Sequence, residues 1–493
     1  MDTRTGLFKL AGDRSVFGEL RIAGRRSLLT LRNEKELPCG LDAGASVTGT
    51  LHDLQQVTLI DCVTAAAESK QRSASGVMYT LEVFPHLIVE GRRHVQPADA
   101  CVAEIQFSFE DVAAIFYDFD AFGTLFNANP FIHEIVAATR ANRNIEIGPE
   151  AQIAYFTGKI LILEAETALG TISVRHNPSY SSGGPNGVKI DNTISVSITP
   201  PAALKIGEAV DRAHQLLRFF DLATGRRQTV PVLSMAVRHG EQSELLRVHW
   251  SHHPLREDES IGGGRRPHPG DMPLDGIHRQ DEFVRVLKEW LETDAARHDA
   301  RARFNELFAR PWQYTVNGLV SAANMFDILP ETAVPKEMPL TDEVVEAKRA
   351  SKEMFLSLKQ SDMRRDFLDA LDRIGRASLK QKVRHRAGLI LKVSGVGFKD
   401  LPWVCDRAID CRNYLVHGAK TKFNFWADAD TFPFLTDTLK FVFAGSELVE
   451  AGWDVNRFLV AGTSMTHFMG EYKATFPERA GRLRKALAPS ETG

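Results

Sequence analysis

Near the C-terminus, one short stretch brings together Arg412, Asn413 and His417, in the order Arg412-Asn413-Tyr414-Leu415-Val416-His417-Gly418. These residue types suit cleavage of an RNA backbone. A 2′-hydroxyl must lose a proton and attack the adjacent phosphate, and the departing 5′-oxygen must gain a proton. Histidine exchanges protons near neutral pH. Arginine presents a fixed cationic fork to a phosphate as charge builds on its oxygens. Asn413 and His417 stand four apart, so on a helix the amide can orient the ring. Gly418 lets the chain leave the helix directly after the histidine and opens that end to a large substrate.

Spacing alone does not single out this stretch. Arg247-Val248-His249-Trp250-Ser251-His252 repeats it, but in a strand-like region, without the asparagine, and running into His253-Pro254. The 412–417 copy sits on an amphipathic helix. With Val404 at zero and 100° per residue, Ala408 falls at about 40°, Cys411 at about −20° and Leu415 at about 20°. That stripe faces a core. Arg412, Val416, Ile409, Asn413 and His417 spread from about 80° to about 220°. Aliphatic side chains on that far side call for a second partner surface, and a second copy of the same helix is the obvious candidate.

From Arg373 to Lys399 there are eight Lys or Arg residues and no Asp or Glu. Arg373, Arg376, Lys380, Lys382, Arg384 and Arg386 are therefore candidates for contact with an RNA backbone, and a solvated basic helix face is the plainer alternative. His249, His252 and His253 read as a polar strand end, and no metal site is expected. The run Ile261-Gly-Gly-Gly-Arg-Arg lacks both the preceding strand and the Lys-Ser/Thr of a phosphate loop. Phe423, Phe425 and Trp426 read as core or dimer packing, with base stacking as the alternative.

These residues need elements to hold them. The chain has 493 residues, room for several domains, and a net charge of −3, so any affinity for nucleic acid must be local. Five scattered cysteines, none spaced C-x-x-C, fit reduced thiols in a cytoplasm. No secretory leader and no membrane-spanning run is read, so a cytoplasmic protein with no membrane association is expected. The fold class expected is multidomain α+β: antiparallel, sandwich-like β-rich lobes followed by an all-α bundle. Alternation at Ile105, Phe107 and Phe109, at Leu81 and Val83, and at Ile194, Val196 and Ile198 marks strands. The expected divisions are a first lobe over 1–130 and a second over 131–258 with one long helix at 204–224. A linker follows at 259–276, within a Gly- and Pro-rich stretch from 254, and then a helical domain over 277–490. “NPSYSSGGPNG” reads as a long loop, Thr341 as a helix cap, and 454–472 as one of the last helices.

The string “RNYLVHG” near the end of a helical bundle resembles the R-x(4–6)-H signature of HEPN domains. The wider “VCDRAIDCRNYLVHG” is similar to the ApeA-like HEPN group, and “LFKLAGDRSVFGELRIAGRRSLLTL” resembles the β-rich N-terminal domain found with it. The resemblance implies a metal-independent, cofactor-free endoribonuclease. It would be active as a homodimer through the HEPN helices, in an anti-phage system that halts the infected host (abortive infection). On this reading Arg412 and His417 match the catalytic pair, and Asn413 matches the polar residue after the arginine. Many such domains carry an acidic residue on an earlier helix. Here “VSAANMFDIL” offers Asn324 or Asp327 and no Glu. The N-terminal lobes would sense a phage-derived trigger, and a single-stranded RNA loop such as a tRNA anticodon loop is the generic substrate. Two other readings fit: a dimeric HEPN module that binds RNA or protein without chemistry, and a ligand sensor built on the β-lobes.

Overall fold

A computed structural model describes residues 2–487 apart from 11–14, 43, 74–75, 140–144, 182–186, 241, 252–265, 309–313, 336, 338, 395–396, 419, 421–422 and 427. The chain forms two compact units. The first comprises 1–214, 228–259 and 274–281, and the second 215–227, 260–273 and 282–493.

The first unit is built on β1 (Asp2–Lys9), β2 (Ser15–Ile22), β3 (Leu28–Asn33), β4 (Ala45–Leu51), β5 (Gln56–Ser73), β6 (Gly76–Gly91) and β7 (Val102–Ser108). A small hairpin follows, β8 (Phe122–Leu125) with β9 (Ile153–Phe156), and then β10 (Leu161–Thr167), β11 (Gly170–Ser181), β12 (Lys189–Thr199), β13 (Val232–His239) and β14 (Gln242–Trp250). Three helices accompany them: α1 (Val112–Ile115), α2 (Asn129–Thr139) and the expected long helix, α3 (Ile206–Thr224), which runs past the first unit's boundary at 214.

Twelve strands form one antiparallel sheet, ordered β10-β11-β12-β7-β13-β14-β6-β3-β2-β1-β4-β5, and β5 returns to pair with β6. The β6-to-β5 part is therefore a closed ring around its own core, rather than two facing sheets. Phe8, Leu20, Leu29, Leu31, Val57, Leu59, Leu81 and Val83 fill it. Gly49 is needed there, because a Cβ would lie 2.5 Å from the Phe8 ring. β6 belongs to both parts of the sheet. Tyr79–Val83 pair with β3 and Leu87–Glu90 with β14. Pro85, which has no N–H to give a ladder, sits where the partner changes.

The expected division at residue 130 is not a boundary. β7, from the first expected lobe, lies between β12 and β13 of the second. β12 is thus a central strand, and Ser195 and Ser197 are buried along with Val196 and Ile198. The “NPSYSSGGPNG” loop is also shorter than expected, since Asn177–Ser181 pair with Lys189–Thr193 as the arm of a hairpin. Its tip, 182–186, lies outside the described residues, as does the 254–265 part of the expected linker.

The second unit carries α4 (Gln280–Glu292, whose first two residues fall in the first unit), α5 (Asp294–Glu306), α6 (Val316–Asp327), α7 (Asp342–Ser357), α8 (Asp362–Arg373), α9 (Leu379–Ser394), α10 (Leu401–His417), α11 (Thr431–Glu450), α12 (Val455–Val460) and α13 (Phe468–Ala486). Nearly every residue from Phe432 to Leu448 of α11 is buried, so this helix is the bundle's axis. Thr341 occupies the cap position of α7, although its hydroxyl makes no cap hydrogen bond.

Two expectations fail here for the same reason. The 259–276 stretch is not all linker, and 454–472 is not one helix. The Asp271 carboxylate accepts from Ser464 N (2.6 Å), Thr466 N (2.8 Å) and the hydroxyls of Thr463 (3.0 Å) and Thr466 (2.6 Å). Those bonds hold 461–467 out of helical form and tie the supposed linker to the bundle. Burial raises the Asp271 carboxyl, but the hydrogen bonds from Thr466, Ser464 and Thr463 outweigh it and leave it below the usual range.

A buried ionic cluster joins α5, α9 and α11. Glu447 receives Arg386 (2.8 Å), Arg297 (2.7 Å) and Arg301 (2.7 Å). Arg386 also bonds Ser446 Oγ at 2.8 Å and the Glu450 carboxylate. Burial alone would raise the Glu447 carboxyl, but the surrounding guanidinium groups reverse this and hold it low. Such a cluster contributes less net stability than its contacts suggest, but removing one member strands the others without partners.

Candidate active site on helices α6 and α10

Helix α10 starts with Pro402 in its first turn, where a missing N–H costs nothing. It ends at Gly418, in the left-handed conformation at φ 61° and ψ 28°, with its N–H donating to Tyr414 O at 3.1 Å. Val404, Ala408 and Cys411 are fully buried, as the helical stripe requires. Leu415 is only half-buried. Ile409, expected on the far side, is 1% exposed and belongs to the chain's own core. The helix packs against α6, α9 and α11, so most of its circumference is occupied. The apolar side chains it leaves in solvent are Tyr414 and Val416, beside the motif.

Arg412 is the hub. Its Nη1 donates to His417 Nε2 at 2.9 Å and to Asn413 Oδ1 at 3.1 Å, and its Nη2 donates to Asn324 Oδ1 on α6 at 3.1 Å. The expected amide-to-ring contact between Asn413 and His417 is thus replaced by two bonds from one guanidinium. A guanidinium has no acceptor, so the His417 Nε2 in this bond carries a lone pair and the ring proton sits on Nδ1. His417 is exposed, while Arg412 and Asn413 are half-buried. Among the described residues, all of Arg412's partners are neutral. Arg297, Arg301, Arg384, Arg386, Arg407 and Arg479 of this unit each pair with a carboxylate.

Of the two helper candidates, Asn324 stands at the site. Asp327, one turn on, instead takes Lys382 at 2.8 Å. That pair belongs to a ladder that sets the helices in register. On α9, Lys380 and Arg384 are four apart; on α10, so are Asp410 and Asp406. Lys380 meets Asp410 at 2.6 Å and Arg384 meets Asp406 at 2.5 Å. Arg386 on the inner side of α9 is fully buried among the carboxylates described above. Four of the eight cations in the basic run, Lys380, Lys382, Arg384 and Arg386, are therefore paired with carboxylates. Lys380, Lys382 and Arg384 hold α6 and α10, Arg386 cannot meet a ligand, and Arg373 and Arg376 are left exposed before α9. Sequence reading missed this use because the acids that receive the charge are far along the chain.

Burial pushes the Cys411 thiol up to about 12, with Asp410 adding to the effect, so it is not a nucleophile at neutral pH. The second Arg/His spacing, at 247–252, lies partly in β14, where His249 Nε2 meets Glu90 at 3.0 Å; His252 and His253 lie outside the described residues. Among the described residues no group of three or more His, Cys, Asp or Glu side chains could hold a metal ion, and no helix is long and apolar enough to cross a membrane.

Comparison with known proteins places these elements. No curated protein and no solved structure matches the chain. Two family profiles do: residues 3–290 match ApeA N-terminal domain 1, and residues 320–457 match Apea-like HEPN. The second match spans Asn324, Arg412, Asn413 and His417, and it supports a nuclease-type effector role for the helical unit. With more than half its length in the first profile and the second following in order, the chain belongs to the ApeA family.

Proposed function

We propose that the chain is a metal-independent endoribonuclease acting in anti-phage defence, with Arg412 and His417 as its catalytic pair. The observation that carries this reading is the arginine whose partners are all neutral, joined directly to the one exposed histidine of its helix. Asn324 and Asn413 aim the guanidinium without cancelling its charge, as a phosphate-binding arginine requires. When a phosphate arrives, its oxygens compete for the Arg412 donors and release His417 Nε2. The freed nitrogen accepts the 2′-hydroxyl proton as the 2′-oxygen attacks phosphorus. The P–O5′ bond breaks and the 5′-oxygen takes a proton, leaving a 2′,3′-cyclic phosphate and a 5′-hydroxyl.

A homodimer suits this chemistry. Tyr414 and Val416 are exposed beside the motif, and a two-fold axis there would bring a second His417 to serve as the acid. The substrate is a single-stranded loop, such as the anticodon loop of a tRNA, where an unconstrained 2′-oxygen can reach in-line geometry. The β-rich unit is the sensor for the phage signal, and cleavage of host or phage RNA stops the infection.

The test is sequencing of RNA ends from cells expressing the chain or its His417→Ala variant, with purified protein assayed in EDTA. New 5′-hydroxyl ends that vanish in the variant support the reading. Cleavage that survives both His417→Ala and Arg412→Ala refutes it. Tight RNA binding with no cut product under activating conditions would favour a binding module instead.

A further inference from the structure

We propose that Trp426 is a stacking platform for a nucleobase flanking the scissile phosphate. The proposal rests on the reading of Arg412 and His417 as an RNA-cleaving site. Of the three aromatic residues that follow the motif, Phe425 is 1% exposed and Trp426 is 63% exposed. One anchors the segment and the other faces water.

The position follows from how the segment returns along α10. On the helical wheel Tyr414 and Arg407 lie at about 280° and about 300°, next to His417 at about 220° and away from Arg412 at about 80°. Phe423 lies under the Arg407 guanidinium at 4.5 Å, and Phe425 meets the Tyr414 ring at 6.2 Å between centroids. The segment therefore follows the face of α10 that carries His417, with Phe423 at the level of Arg407 and Phe425 at Tyr414, three residues before the histidine, and Trp426 is the exposed residue that comes next.

The indole is held in place. Its backbone N–H donates to Asn424 Oδ1 at 3.1 Å, which fixes the turn. It stacks on the buried Phe432 ring at 4.9 Å with 25° between planes. A large apolar ring that is held by packing yet mostly in water, next in sequence to a residue packed on Tyr414 one turn before His417, matches the way single-stranded nucleic acid is gripped. Such sites combine charge for the backbone with rigid aromatic faces for bases.

The experiment uses the full chain carrying His417→Ala, titrated with a single-stranded RNA oligonucleotide containing 2-aminopurine. Two readouts are followed, tryptophan quenching and 2-aminopurine emission. Adding Trp426→Ala should weaken binding about tenfold and remove the largest part of the quenching, whereas Trp426→Phe should restore most of the affinity. Unchanged affinity and unchanged quenching in Trp426→Ala overturn the proposal. So does a fall in oligomer size of the RNA-free Trp426→Ala protein by sedimentation, which would make Trp426 an interface residue. Cleavage by the chain with His417 intact is measured in parallel. Quenching by Trp426 without cleavage keeps the platform and removes the nuclease reading. Cleavage unaffected by Trp426→Ala does the reverse.

Discussion

Arg412 donates from Nη1 to the Nε2 of His417 across 2.9 Å, so the lone pair of that ring nitrogen is held by a cation of its own helix. On the proposed mechanism this lone pair is the one that takes the 2′-hydroxyl proton, and it stays occupied until something else takes the guanidinium donors.

That bond fixes the histidine tautomer. Nitrogen NMR of the histidine rings should show His417 in the Nδ1–H form, and Arg412→Ala should abolish the preference. A preference unchanged in Arg412→Ala would mean the bond does not set the tautomer.

Arg412→Lys keeps the charge but removes the planar fork that reaches Asn324, Asn413 and His417 together. RNA cleavage should fall about 100-fold, as for loss of a charge-stabilising donor. Thermal stability should change little. Near-complete activity in Arg412→Lys would show that a point charge suffices.

Arg386 and Arg373 separate structural from functional basic residues. Glu447→Gln or Arg386→Ala should destabilise the helical unit by about 3–5 kcal/mol, read by urea unfolding, because each strands buried charges. Arg373→Ala with Arg376→Ala should leave stability alone. If these two touch phosphates, the slope of log affinity against log salt should become shallower by about 0.7 for each phosphate no longer neutralised. Lys380→Ala should not change that slope, since its partner is Asp410.

The helical unit should also lose stability in mild acid. Burial pushes the His467 ring down to about 4, against an opposing pull from Asp271. Its folded pKa is thus lowered, so between the ordinary histidine value and about 4 the unfolded chain binds the extra proton. Stability is full above that window and declines through it as pH falls, by on the order of 3 kcal/mol. Melting temperatures from pH 7 to pH 4 should show the decline, and His467→Asn, which keeps a capping side chain at that helix start, should flatten it.

The parts of this protein that were legible in sequence are those governed by local spacing. The buried stripe of α10 through Val404, Ala408 and Cys411 and its glycine stop follow from turns of a single helix, whereas the same spacing set Asn413, not Arg412, against His417. What stayed hidden depends on partners far along the chain. A run of basic residues looks free until Asp406, Asp410, Asp327 and Glu447 are placed against it. One late helix looks continuous until Asp271 takes the N–H groups of the break. Ile409 looked like an outer residue because a wheel assumes one buried side, whereas α10 has three neighbours. The joining of the closed ring to the rest of the sheet turns on β6 changing partners at Pro85, which alternation of side chains does not register.

Because β5 folds back to β6, that end of the twelve-stranded sheet offers no free ladder, and β10 is the remaining rim. The rim is blunted: its pairing is irregular between Leu161 and Leu163, it carries Glu164 and Glu166, and Ile162 O already accepts from Gln280. A strand from another molecule would find a bent, acidic and partly occupied template. The sheet is thereby guarded against fibre-like growth at high local concentration, and the sensing proposed for this unit falls to side chains on its faces and loops, not to an added strand.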